Sequence, residues 1–186
     1  MSVVLDARHG PDAAPRHDRG CGQHRPAGVE AVAHTLIIGF GNTLRGDDAA
    51  GIHAAERFRE IEGVDVLTAH QLLPELAETI ARYDHVLLLD AGAGTTAVCL
   101  QEVRESAPAA AFTPHVSSPS ALLTLCRTLY ERTPRRMVLV TIPAVSFEFG
   151  ESLSPVTETG ISSCVSVVWD ELRRFSAGIG EGPDTH

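Results

Sequence analysis

The chain has 186 residues, 44% of them hydrophobic, and a formal net charge of -9, which leaves room for one ordinary domain with a buried core and no basic footprint for nucleic acid or an anionic membrane surface. All fifteen basic residues are arginine, so phosphate-loop and Schiff-base lysine chemistry is excluded. The four cysteines (Cys21, Cys99, Cys126, Cys164) lie far apart with no C-x-x-C pair, no apolar run could span a bilayer, and the first residues lack the order of a secretory signal; the expectation is a cytoplasmic protein not bound to membranes.

Residues 1–33 are rich in Gly, Pro, Arg, His and Asp without a sustained apolar period, the composition of a disordered extension. His9, His17, Cys21 and His24 are spaced too irregularly to define a metal site. A single α/β domain is expected over residues 34–176, followed by a flexible tail over 177–186. Within the domain, residues 35–40 read as a buried strand, and 48–61 as a helix with Ile52, Ala55, Phe58 and Ile61 on one face. Residues 64–69 read as a second strand. Pro74 suits the first position of a helix reaching Arg82, and 85–89 (HVLLL) form a third strand. A short strand over 99–103, a helix over 119–130, a strand over 137–142 and a closing helix over 157–175 complete the pattern. Strands separated by helices predict parallel pairing through right-handed crossovers, hence an open, mostly parallel, twisted α/β sheet of the phosphorylase/hydrolase-like kind, with helices on both faces.

In such sheets ligands collect outside the carboxyl ends of the strands. The loops 39–48, 90–94 and 113–118 are the ones that carry chemistry. The first, GFGNTLRGDDAAG, is not a dinucleotide cradle: Leu44 stands where a third glycine is needed, the second strand ends at His70 rather than an acid, and Asp47 and Asp48 would repel a phosphate. One of the two aspartates can cap the following helix, and Asp47 is the better placed, leaving Asp48 in the first turn. Asp90 ends an otherwise apolar strand, where a charge needs a partner or a purpose. With His115 in a third loop, two carboxylates and an imidazole form a plausible site for a divalent transition metal such as nickel or zinc. Gly39, Gly41 and Asn42 shape the first loop, with a substrate-backbone contact also open to them. His70 is either structural or a substrate contact. Cys99, Cys126 and Cys164 have apolar neighbours and no paired base, which marks them as buried, inert thiols.

The segment GFGNTLRGDDAAG resembles the G-x-G-N-x-L-x-x-D-[DE]-x-x-G signature of the hydrogenase maturation proteases, endopeptidases that trim the large subunit of nickel-iron hydrogenases. VLLLDAG, TPHVSSPSALL, Ile142-Pro143 and FEFGESLSPV are similar to the family's other marks, so that the resemblance covers roughly residues 35–175. It implies a twisted α/β sheet flanked by helices and a nickel site made of Asp48, Asp90 and His115, the catalytic and metal-binding set. Asp48 stands where many members have glutamate, and Ala49 where a glycine is usual. The implied reaction is one cut near the carboxyl terminus of a hydrogenase large-subunit precursor, with the nickel supplied by that precursor. A role for the metal as recognition element or Lewis acid, and a general-base role for one carboxylate, all fit these residues. The alternative on the same fold is a noncatalytic, nickel-dependent chaperone or binding module. No nucleic-acid or membrane partner is implied; the oligomeric state is not fixed by the sequence, with a monomer as the simplest expectation.

Overall fold

A computed structural model describes residues 34–105 and 118–179, the last two by backbone alone. The expected N-terminal extension and the loop that carries His115 fall outside the described residues. Five strands form one sheet: β1 (Thr35–Phe40), β2 (Val64–Ala69), β3 (His85–Ala93), β4 (Cys99–Glu102) and β5 (Arg136–Ala144), in the order β2-β1-β3-β5-β4. The helices are α1 (Ala50–Glu56), α2 (Leu76–Ile80), α3 (Pro119–Tyr130) and α4 (Pro155–Ile179). Among the described residues no helix is long and apolar enough to cross a membrane.

Alternation along the central strands sorts the core into two layers. Leu36, Ile38, Val86 and Leu88 pack with α2 and α3, whereas Ile37, Leu87, Leu89, Val138 and Val140 pack with α1 and α4. Both faces are therefore dry, which is why these strands read as nearly continuous apolar runs. The apolar stripe assigned to residues 48–61 is real, but the segment is not one helix. A 3-10 turn over Gly46–Ala49 leads into α1, and beyond Glu56 the backbone tightens into i to i-3 bonds, such as Phe58 N–H to the Ala55 carbonyl at 3.0 Å. Phe58 stays fully buried, its ring 5.4 Å from that of Trp169; burying such a side chain contributes roughly 2–3 kcal/mol. α2 is likewise shorter than the 74–82 expected, with 3-10-type bonds at both ends. α3 begins as its sequence suggests: Pro119 opens it, and the Ser118 hydroxyl accepts from Ala121 N–H at 3.2 Å. α4 runs on past Phe175 to Ile179.

The sheet is mostly parallel, as expected: β1, β2, β3 and β5 are parallel, and only β4, at the edge, pairs antiparallel with β5. Only residues 94–98 separate β3 from β4, too few for the crossover that parallel pairing requires. β4 is also largely exposed, so Cys99 is a surface thiol and not a buried one. Cys126 and Cys164 are buried, and burial pushes their thiols up to about 11 and about 12. On β4, Glu102 lies 3.8 Å from both Arg104 and Arg136; at the opposite edge the Tyr83 hydroxyl donates to exposed Asp65 of β2 at 2.9 Å.

The amino ends of the strands are closed by a buried polar cluster. His85 is fully buried, stacks on Phe175 with centroids 4.1 Å apart, and lies 3.5 Å from Glu171, which also binds Arg136. Burial pushes the His85 imidazole down to about 4 against the opposing pull of Glu171, so it is neutral at physiological pH. This end of the sheet is built for packing.

At the carboxyl ends the decisive feature is how closely α1 approaches the sheet. A methyl on Gly51 would lie 2.2 Å from the Leu89 carbonyl oxygen, and one on Gly39 would lie 2.3 Å from the Gly51 carbonyl oxygen. Both obstacles are backbone atoms and cannot rotate away. Gly51→Ala is expected to destabilise the protein by about 2 kcal/mol or more, read as a lower midpoint in urea unfolding; an unchanged midpoint would contradict this packing.

Candidate active site

The strand order reverses direction between β1 and β3, since β2 lies on one side of β1 and the later strands on the other. That switch point is where the loops diverge and leave a crevice. Pairing between β1 and β3 ends at Gly39 and Leu89, while β3 continues beside β5 from Asp90–Thr141 to Ala93–Ala144. Asp90 is thus inside a strand and not at its end, but it is the first β3 residue from which β1 has peeled away.

β1 leaves through Gly41, whose φ of 141° and whose approach to the Asp48 carbonyl oxygen, 1.8 Å from a Cβ placed there, both demand glycine. Gly41 N–H donates to the Ala69 carbonyl at 3.1 Å, tying the loop to the end of β2, next to exposed His70. Asn42 turns the chain: its side-chain oxygen accepts from Leu44 N–H at 2.9 Å, and its own N–H donates to Asp48 Oδ2 at 2.9 Å. Asp48 is half-buried and held in place by that bond.

Asp90 accepts from the Ala91 N–H at 2.9 Å. Burial pushes its carboxyl from the ordinary 3.8 up to about 6; the Ala91 N–H opposes this, and the charge of nearby Asp48 adds to it. The charge of Asp48 thus reaches Asp90, and burial makes Asp90 reluctant to ionise. A cation between them would relieve that reluctance, and oxygen donors suit a divalent ion. His115 lies outside the described residues, in the segment between β4 and α3, and among the described residues no group of three His, Cys, Asp or Glu side chains is gathered around one point.

Asp47 does not cap a helix. Neither the 3-10 turn nor α1 has a side-chain cap bond. Its fully buried carboxylate instead accepts from Val145 N–H, Ser146 N–H, Ser154 N–H and the Ser154 hydroxyl. Burial would push this acid up, but the four donors outweigh it and hold it at about 2. Sequence reasoning missed this loop as part of the site, because its tie to Asp47 spans 98 to 107 positions. The loop also carries exposed apolar residues: Phe149 is 84% exposed and Val145 63%, with Leu44 at 49% just across the backbone bond from Gly150 N–H to the Leu44 carbonyl.

Neither a family model nor a curated protein matches the sequence. Solved structures do. The fold is similar to that of the hydrogenase maturating endopeptidase HybD from E. coli, with a TM-score of 0.58 and 25% identity, covering 76% of this chain and 93% of that one. Its fold is the one these hydrogenase maturation endopeptidases adopt. The chain also shares its fold with two proteins from Thermococcus kodakarensis, the [NiFe] hydrogenase maturation proteases HybD and HycI. HybD has a TM-score of 0.58 at 22% identity, covering 75% of this chain and 99% of that one; HycI has 0.57 at 21%, covering 76% and 93%.

The raised Asp90 acid has a stability consequence of definite sign. A folded-state value of about 6 above the ordinary 3.8 means that ionising Asp90 costs folding free energy, so stability present below pH 3.8 is lost as pH rises through about 6. Asp90→Asn is expected to stabilise the protein by about 1–3 kcal/mol at neutral pH, an advantage that fades below about pH 4. Thermal unfolding of both proteins at several pH values measures it, and a less stable variant at pH 7 would contradict the burial of this charge.

Proposed function

We propose that this endopeptidase removes the C-terminal extension of a nickel-iron hydrogenase large-subunit precursor after nickel has been inserted, and that the nickel arrives with the substrate. What supports the reading is the charge of Asp48 acting on buried Asp90 beside the β1/β3 switch point, in a chain whose fold is similar to that of E. coli HybD. Nickel held by the precursor would complete its coordination with these two carboxylates and His115. The two negative charges make the crevice inhospitable to an unloaded tail and favourable to a loaded one, so recognition and positioning of the scissile bond share one source.

Hydrolysis adds water across the peptide bond: the water oxygen bonds to the carbonyl carbon, the C–N bond breaks, and the leaving nitrogen gains a proton. One carboxylate of the pair is suited to take the proton from water and return it to the amine. Asp48 keeps its orientation through the Asn42 N–H. The exposed apolar residues Leu44, Val145 and Phe149 offer the tail a surface beside the pair. The reaction is placed in the reducing cytoplasm, consistent with the unpaired thiols Cys99, Cys126 and Cys164.

Incubation with nickel-loaded large-subunit precursor is expected to release the C-terminal peptide, seen by intact-protein mass spectrometry, while nickel-free precursor stays intact. Asp48→Asn, Asp90→Asn and His115→Ala are each expected to lower processing by about a hundredfold or more without loss of cooperative unfolding. Cleavage that survives in all three variants would refute the site, and a precursor bound but never cut would favour the noncatalytic binding module.

A further inference from the structure

Asp47 is the most heavily engaged buried acid among the described residues, and hydrolysis by Asp48 and Asp90 makes no use of it. Its Oδ2 accepts from Val145 N–H at 2.9 Å, Ser146 N–H at 2.9 Å and the Ser154 hydroxyl at 2.8 Å, and its Oδ1 from Ser154 N–H at 2.6 Å. The backbone reinforces the same junction: Asp47 N–H donates to the Ser146 carbonyl at 3.0 Å, Gly46 N–H to the Gly150 carbonyl at 2.7 Å, and Gly150 N–H to the Leu44 carbonyl at 3.0 Å. Asp48 follows directly in the chain, with one hydrogen bond on its carboxylate, from Asn42 N–H.

Every group around Asp47 is a donor, and only an ionised carboxylate can accept from all of them; an amide would turn its own N–H₂ toward an N–H or O–H. The bonds are charge-assisted and lie in a dry environment, where such bonds are strong and an unmet partner is costly. The turn 45–48 therefore cannot shift relative to the loop 145–154 without breaking several of them together. Because Gly41 and Asn42 meet Asp48 from the other side, the carboxylate of Asp48 is left with one place to stand.

We infer that Asp47 is a positioning residue: by clamping the turn that carries Asp48 onto the loop 145–154, it holds the Asp48 carboxylate beside Asp90 in working register. The inference rests on the reading of Asp48 and Asp90 as the active pair. It also makes the apolar residues Val145 and Phe149 part of the same rigid body as Asp48, so the surface that meets the substrate tail and the group that meets its metal move as one.

The test compares Asp47→Asn with wild type and with Leu122→Ala, a core substitution in α3 that lowers stability without touching this junction. Processing of nickel-loaded precursor is measured at a temperature where all three proteins are folded by circular dichroism, and the Asn42 amide is followed by ¹⁵N NMR because it reports the Asp48 Oδ2 position directly. Asp47→Asn is expected to lower kcat by about tenfold or more with a smaller change in KM, and to move and deprotect the Asn42 amide. Leu122→Ala is expected to keep kcat within about twofold and leave that amide in place. If Asp47→Asn does not fold, Ser154→Ala removes only the hydroxyl donor and is expected to show the same changes in smaller measure. A kcat like that of wild type, an unmoved Asn42 amide, or an equal loss in Leu122→Ala overturns the inference. Wild-type protein that leaves the precursor uncut refutes the proposed activity instead, and the Asn42 amide then still decides whether Asp47 sets the position of Asp48.

Discussion

The structure depends on the contact between the backbone of α1 and the backbones of β1 and β3. Gly51 faces the carbonyl oxygens of Leu89 and Phe40, and Gly39 faces the carbonyl of Gly51, at separations that leave no room for any side chain. Close packing cannot absorb an intruding methyl when the neighbours are peptide groups. The consequence is positional: with the helix seated this low, the turn before it arrives level with the point where β1 and β3 part, and Asp48 comes within electrostatic reach of Asp90. The carboxylate pair is thus produced by main-chain proximity, and the polar bonds around it refine a placement that the glycines have already made.

The two ends of the sheet follow opposite physical rules. At the amino ends, His85 and Glu171 are taken fully out of water, with Arg136 as counter-charge and Phe175 as cover; the imidazole answers burial by staying neutral. At the carboxyl ends Asp90 also meets burial, but within reach of the charge of another acid and, among the described residues, without a cation that would settle its charge. Such an arrangement lowers stability unless a cation is supplied. Asp47, one residue from Asp48, shows what full satisfaction of a buried carboxylate looks like in this protein, and the contrast sets Asp90 apart as a buried acid with a single hydrogen bond from the Ala91 N–H.

Much of the fold was legible because local pattern and tertiary role coincide. β1, β2 and α3 fall where strand runs, helical spacing and the Ser-Pro start place them; Asp90 stood out as an acid closing an apolar run, and Asp48 as the second of two adjacent acids of which only one can cap a helix. What was hidden depends on distant partners. The reversal of β4 is imposed by a connection too short for a crossover, and the continuation of β3 through Asp90 requires β5 alongside it. The end of α1 at Glu56 could not be read from a stripe that Phe58 and Ile61 continue through tighter turns. Asp47 was the most misleading, since an acid before a helix looks like a cap, and only the folded chain brings Val145, Ser146 and Ser154 to it.

The outer strands bear on how such a molecule avoids stray partners. A protein that receives the loose tail of another chain risks having it zip onto any free row of peptide groups, because an open edge is a template for addition. Here one border is only the four residues of β4, running against its neighbour and bearing Glu102 among arginines, and the other presents Asp65 tied to Tyr83. Neither margin is a welcoming track for an incoming segment.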